Sequence, residues 1–238
     1  MEHEALFRLL ALTLISVLLP SQASSFSTEG CLGRKDPYGG SPPKPAGTVS
    51  QGQLKAHLVA LDETTPGVRI DLKYTTDANF SGSALYPKGA KCWLRPALAE
   101  AIKSAATRLG RGGFGVILYD CYRPWSAQVQ LWRACPKRGL VGDPAKGSHH
   151  NRGAAIDLGL YRLSDGEVLA MPSAFDDLSH RARHSYQGGS AEGREHRRWL
   201  RVTMRRVGLR SIGSEWWHYQ LPKSRNFPVL DLPLGSRQ

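Results

Sequence analysis

Apolar and charged residues alternate along Val68-Arg69-Ile70-Asp71-Leu72-Lys73-Tyr74, which is the period-two pattern of a strand buried on one face. From Pro96 to about Leu109 the period lengthens. Leu98, Ile102, Ala105 and Leu109 then share one face of a helix that Pro96 opens and Gly110 ends. A short apolar run from Gly115 to Asp120 predicts the next strand. It delivers the polar cluster Asp120-Cys121-Tyr122-Arg123 to its end, before Pro124 starts a helix carrying Val129 and Trp132. Alternation returns at Ala155–Leu160, with Ile156, Leu158 and Leu160 on one face and Ala155, Asp157 and Gly159 on the other. Small residues flanking a carboxylate predict room for a ligand beside Asp157. In the closing segment Glu215-Trp216-Trp217-His218-Tyr219, the aromatic content favours a strand. Adjacent strand residues point to opposite faces, so one tryptophan is read as core and the other as pocket wall.

The two ends of the chain read differently from its middle. Leu9 to Leu19 is an uncharged apolar run, broken by Pro20 and followed by the small residues Ser21 and Ala23. This is the layout of an export signal over residues 1–23, too short for a transmembrane helix. It predicts a periplasmic or secreted protein with no membrane span after the signal is removed. Residues 24–57 are rich in Gly, Pro, Ser and Lys with little periodicity, which predicts a poorly ordered linker. The catalytic domain is expected over 58–238.

Composition adds two constraints. With 238 residues, 41% hydrophobic and 22% charged, the chain is sized for one domain with a real core. The formal net charge is +12, and much of the excess lies in Arg194, Arg197, Arg198, Arg201, Arg205, Arg206 and Arg210. Leu200, Thr203, Met204 and Val207 fall opposite these arginines at helical spacing, and Gly208 supplies a stop, so the run is read as the solvated face of an amphipathic helix. A nucleic-acid surface is not expected. Weak attachment to an anionic cell envelope is the partner role such a face could take. Cys31, Cys92, Cys121 and Cys135 lack paired CxxC spacing, and in an exported chain they are expected to form one or two disulfides, the pairing being open.

Candidate chemistry concentrates in Ser148-His149-His150-Asn151-Arg152-Gly153-Ala154-Ala155-Ile156-Asp157 and in Glu215 to His218. A catalytic zinc takes three ligands drawn from imidazole and carboxylate and keeps a fourth position for water. The first segment offers two ligands from a loop and the following strand, and Gly153 would let that loop turn back sharply. The second offers a third ligand and a base. Three residues is an odd step along a strand, so Glu215 and His218 reach one point only if the segment bends or bulges, or if Glu215 lies outside the strand.

The string S-H-H-N-R-G-A-A-I-D resembles the S-x-H-x-x-G-x-A-x-D motif of the zinc D,D-peptidase superfamily, and E-W-W-H resembles its closing E-x-x-H element. D-L-K-Y-T-T-D-A-N-F-S-G at 71–82, Y-D-C-Y-R-P at 119–124 and F-D at 175–176 narrow the resemblance to the D-alanyl-D-alanine dipeptidase family, over about residues 58–232. The resemblance implies one Zn2+ per chain on His150, Asp157 and His218. It implies Glu215 as general base and Arg123 as the group that stabilises the oxyanion. Asp176, with Tyr74, would hold the substrate's ammonium, although the adjacent Asp177 could substitute, and Ser148 would line the pocket. His149 is read as a bystander.

The expected architecture is α+β, a small antiparallel sheet with helices packed on one side and the zinc site on its open face. The expected reaction is hydrolysis of D-alanyl-D-alanine, a small D,D-dipeptide. Two alternatives stand beside it: a D,D-carboxypeptidase or peptidoglycan endopeptidase acting on longer stem peptides, and a non-catalytic zinc-binding envelope module.

Overall fold

The computed structural model describes Cys31 and residues 33–235; the export signal expected over residues 1–23 lies outside them. The architecture is α+β. A five-stranded sheet runs in the order β2 (Val68–Ile70), β4 (Phe114–Asp120), β5 (Ala155–Arg162), β7 (His218–Gln220), β6 (Arg210–Ser211). A second, two-stranded antiparallel sheet pairs β1 (Val59–Leu61) with β3 (Cys92–Leu94). Among the described residues three α-helices complete it: α1 (Pro96–Gly110), α2 (Trp125–Ala134) and α3 (Ala191–Arg206). The larger sheet departs from the expected all-antiparallel form at one edge, where β2 runs parallel to β4. The connection between these strands passes through β3 and α1, the long crossover that parallel pairing requires.

The helices form where the sequence says they should. Pro96 stands at the start of α1, and Leu98, Ile102, Ala105 and Leu109 are all buried. Each of the larger apolar side chains contributes about 1.5–3 kcal/mol when taken out of water. Ser190 caps α3 by accepting from Gly193 N at 2.9 Å, an interaction worth about 1 kcal/mol. Gly208 follows the helix with φ +87°, the left-handed conformation that ends helices at low cost. Leu200 and Met204 are buried. Arg197, expected on the solvated face, is buried instead, with Nη1 and Nη2 donating to the carbonyls of Arg183 and Tyr186. Its stem covers apolar surface while its head satisfies two turn carbonyls.

α1 and α3 pack on one face of the sheet. Phe114 of β4 stacks on Trp199 of α3 at 5.3 Å between centroids, and Val116, Leu118, Leu158 and Leu160 lie on that same face by register. The opposite face carries Ile117, Tyr119, Gly159 and Asp157. The space expected beside Asp157 at Gly159 is occupied: a Cβ there would stand 2.6 Å from the Tyr119 hydroxyl. Glycine at 159 therefore makes room for a neighbouring ring.

Two further expectations are corrected. The strand read over Val68–Tyr74 ends at Ile70, and a 3-10 turn over Lys73–Thr75 follows. The alternate burial of Leu72 and Tyr74 persists, but the Tyr74 carbonyl accepts from Leu85 N and Tyr86 N, which fixes a turn where a ladder would have continued. The segment read as a poorly ordered linker is, in its described part, a belt. Trp132 Nε1 donates to Asp36 at 2.8 Å, the Tyr38 hydroxyl donates to Asp143 at 2.9 Å, and Val49 bonds with Val229 and Asp231 through its backbone. Disulfides Cys31–Cys135 and Cys92–Cys121 settle the pairing. Within the belt lie only a 3-10 turn over Leu54–Ala56 and an isolated bridge from Val49 to Leu230 among the described residues, and attachment comes from side chains and single backbone bonds.

Candidate metal centre and catalytic pocket

Three neighbouring strand ends build the site. Asp157 of β5 stands opposite His218 of β7, and the β4–β5 register shifts between Leu118 and Asp120 so that Asp120 also pairs with Asp157. His150 arrives from a 3-10 turn over His150–Arg152 that closes at Gly153, φ +63°. A Cβ on Gly153 would collide with Leu58, so the position needs glycine both for its backbone and for its packing.

The imidazole orientations follow from hydrogen bonds on their far sides. His150 Nδ1 donates to the Cys121 carbonyl at 2.8 Å, and His218 Nε2 donates to Gln220 Oε1 at 3.0 Å. Each ring is thereby held in the tautomer that turns a lone pair inward. His150 Nε2 lies 3.1 Å from His218 Nδ1 and 3.2 Å from Asp157 Oδ1, and the latter two are 3.0 Å apart. All three residues are buried. Burial alone would push His150 down, but the carboxylates of Asp157 and Asp120 outweigh it and raise its pKa. Burial would raise Asp157, yet the two imidazoles hold it well below the usual carboxylate range. Three acceptors facing one point call for positive charge among them, and a buried N,N,O donor set fits a divalent metal ion.

Arg123 sits beside this cluster, buried. Its Nε and Nη2 donate to Asp120 Oδ2 at 3.0 and 2.5 Å, and its Nη1 to Gln128 Oε1 at 2.7 Å. The other Asp120 oxygen accepts from the Tyr86 hydroxyl at 2.6 Å and from Cys121 N at 2.9 Å. Burial opposes the charge of Arg123, and Asp120 restores it, so that its pKa stands well above the ordinary value. The guanidinium is thus charged and held in one orientation, and it lies 5.2 Å from the centroid of the Tyr74 ring.

A pocket of about 300 Å³ joins these groups to Tyr74, Ser148, Asp176, Glu215 and Trp217. That volume is at the small end for ligand sites. Asp176 is buried, accepts from the Tyr74 hydroxyl at 2.9 Å, and has φ +59°, a conformation uncommon for non-glycine residues. Burial, reinforced by Asp157, raises its pKa to about 8. Asp177 turns away from the pocket, pairing with Arg181 at 2.9 Å and accepting from Ser179 N. Glu215 lies in the bend before β7, outside the strand, so the odd spacing to His218 is resolved without a bulge. Burial also raises its pKa, to about 7, with Asp157 and Asp176 adding to the effect against His218 and Arg123.

Of the residues singled out from the sequence, His150, Asp157, His218, Glu215, Arg123, Asp176, Tyr74 and Ser148 line this pocket, and Asp177 does not. His149 also lines it but stands outside the three-residue cluster, with Nδ1 2.7 Å from Ser224 Oγ. Ser148 Oγ accepts from His150 N at 3.2 Å. Sequence reasoning missed Asp120, Tyr86, Gln128 and Gln220. Gln220 was within reach of a period-two argument, being two residues beyond His218 on one strand face. Asp120 was visible in the cluster at the end of β4. Tyr86 and Gln128 come from distant segments and carried no local signal.

Residues 54–231 match the family model described as D-ala-D-ala dipeptidase. A D-alanyl-D-alanine dipeptidase of Escherichia coli (strain K12) is 36% identical over 173 residues, covering 73% of this chain and 89% of its own. One from Enterococcus faecium is 36% identical over 180 residues, covering 68% and 89%. Among solved structures there is a looser likeness to the LdcB LD-carboxypeptidase, with TM-score 0.40 and 18% identity over 72% of this chain and 71% of that one. On the family match and these identities, the chain belongs to the D-Ala-D-Ala dipeptidase family of peptidases.

Proposed function

We propose that the protein is an exported zinc enzyme that hydrolyses D-alanyl-D-alanine to free D-alanine. The observation that carries this reading is the convergence of His150 Nε2, Asp157 Oδ1 and His218 Nδ1 in one pocket with Glu215, Arg123 and Asp176. His150, Asp157 and His218 hold the zinc, which when bound polarises a carbonyl and makes water acidic enough to act near neutral pH.

Glu215, with its raised pKa, takes the proton of the attacking water and returns it to the leaving amine. Arg123, held by Asp120 and Gln128, meets the negative charge that develops on the carbonyl oxygen. Asp176 and Tyr74 receive the substrate ammonium. A cation arriving there favours the ionised carboxylate and offsets the cost that burial sets on its charge. A longer peptide carries a neutral amide at that point and leaves the buried acid without its partner, so short substrates with a free amine are selected. Ser148 lines the same wall and supports His150.

Export is supported by the two disulfides, Cys31–Cys135 and Cys92–Cys121, which persist in oxidising compartments. The substrate reading is supported by the family match and by the names of the relatives. The test supplies the purified chain with D-alanyl-D-alanine and, separately, with a stem pentapeptide ending in D-alanyl-D-alanine. Alanine release from the dipeptide alone is expected; release from the pentapeptide at a comparable rate would assign the enzyme to carboxypeptidases instead.

A further inference from the structure

β7 turns His218 toward the pocket and Tyr219 toward the opposite, helix-covered face. There Tyr219 is fully buried, and its hydroxyl has no hydrogen-bond partner. His184 packs edge-on against it at 6.3 Å between ring centroids, and both His184 nitrogens are buried without a partner. Among the described residues five buried side-chain polar atoms are unpartnered, and these are three of them. Folded proteins leave few such atoms, and their grouping in one place calls for a polar partner, a water or a ligand.

His184 lines a cleft of about 360 Å³ against α3, whose wall includes Arg194, Arg197, Arg198 and Arg201. Arg197 is fixed by the carbonyls of Arg183 and Tyr186, and Arg194 by the carbonyl of Gly189 at 2.7 Å. Carbonyls orient these guanidiniums without neutralising them. Arg198 pairs with Glu195, while Arg201 makes no ion pair or hydrogen bond among the described residues. Burial, with Arg201 and Arg197 close by, pushes His184 down to about 4. Its ring is therefore neutral, and one nitrogen can donate while the other accepts.

We propose that this cleft is an anion site that takes a phosphoryl group, held by Arg201 and Arg194 from α3 with His184 on the facing wall. Guanidinium forks match phosphate oxygens in shape as well as charge. Several donors on different elements suit a tetrahedral group with three or four oxygens better than a planar carboxylate with two. The site lies on the face of the sheet away from the candidate metal centre and does not depend on the dipeptidase reading.

The test titrates inorganic phosphate against thermal unfolding of the metal-loaded full chain, with ionic strength matched by chloride. A saturable rise in Tm is expected. Its apparent affinity should fall about tenfold in Arg201→Gln and in Arg194→Gln, and should be unchanged in the control Arg206→Gln. Any phosphate on the metal contributes equally to all four proteins, so the difference reads the cleft. The absence of a saturable rise, or equal responses in wild type and variants, overturns the proposal. Phosphatidylcholine vesicles with and without phosphatidylglycerol separate the sources. Phosphatidylglycerol-dependent binding weakened by Arg201→Gln, together with the saturable phosphate response, assigns a lipid headgroup. The phosphate response without vesicle binding assigns a soluble phosphate compound. Vesicle binding without the phosphate response is diffuse attraction and overturns the site.

Discussion

Arg123 and Asp120 are joined by two hydrogen bonds to a single carboxylate oxygen, Nε at 3.0 Å and Nη2 at 2.5 Å from Oδ2. With Tyr86 on the other oxygen and Gln128 on Nη1, the guanidinium is locked before any substrate arrives. Such preorganisation makes a charge effective in a transition state, because nothing has to rearrange as the charge develops. Lysine cannot reproduce the paired contact. Arg123→Lys is expected to lower kcat by about 10²–10³-fold while leaving metal content unchanged. Steady-state kinetics paired with metal analysis checks this; a kcat within a few-fold of wild type would remove Arg123 from the reaction.

Asp176 gives a prediction on binding. Loss of a buried carboxylate that meets an ammonium costs about 2–5 kcal/mol. Asp176→Asn should raise KM for D-alanyl-D-alanine by about 30-fold or more on that scale. N-acetylation of the substrate should harm the wild type in the same way and add little in the variant. An unchanged KM in the variant would place the ammonium elsewhere.

The same residue predicts a pH effect on stability. Its folded pKa is raised by burial to about 8, against an unfolded value near 3.9. Between these values the folded state binds more protons than the unfolded chain, so this group's contribution to stability is present at low pH and is lost as pH rises toward 8. In the metal-free protein Asp176→Asn should therefore raise Tm at about pH 8 relative to wild type, with a smaller gain at about pH 5. A larger gain at the lower pH would reverse the sign of the argument.

Gln220 should matter to metal affinity without being a ligand. By accepting from His218 Nε2 it keeps Nδ1 free to face the cluster. Gln220→Leu is expected to weaken zinc binding by about 10–100-fold, measured by competition with a chromogenic chelator. Affinity equal to wild type would mean that the ring is oriented by packing alone.

The parts legible in the sequence were those fixed by local pattern or by chemistry that tolerates few substitutes. α1 was bounded by Pro96 and Gly110, and β5 by strict alternation. Three candidate metal-binding side chains at motif spacing pointed to one site wherever the strands ran. The illegible parts depend on distant partners. Nothing near Tyr74 announces that its carbonyl will accept from Leu85 and Tyr86 and end the strand early. Gly159 looked like space for a ligand because the Tyr119 ring that fills it comes from the neighbouring strand. The belt before residue 58 has no periodicity, and Asp36, Tyr38 and Val49 hold it to the domain through contacts about a hundred residues or more away. The choice between Asp176 and Asp177 was open for the same reason, since Arg181 and Ser179 take one and Tyr74 the other.

The central claim is that His150, Asp157 and His218 bind one catalytic zinc and that Glu215 acts on it without holding it. The direct measurement is a zinc titration of chelator-stripped protein, reading bound metal and alanine release together in wild type and in Glu215→Ala. In wild type, activity should rise in proportion to zinc and level off at about one equivalent per chain. The variant should bind the same equivalent and release no alanine. Turnover by the stripped protein, or failure of Glu215→Ala to bind zinc, would contradict the account.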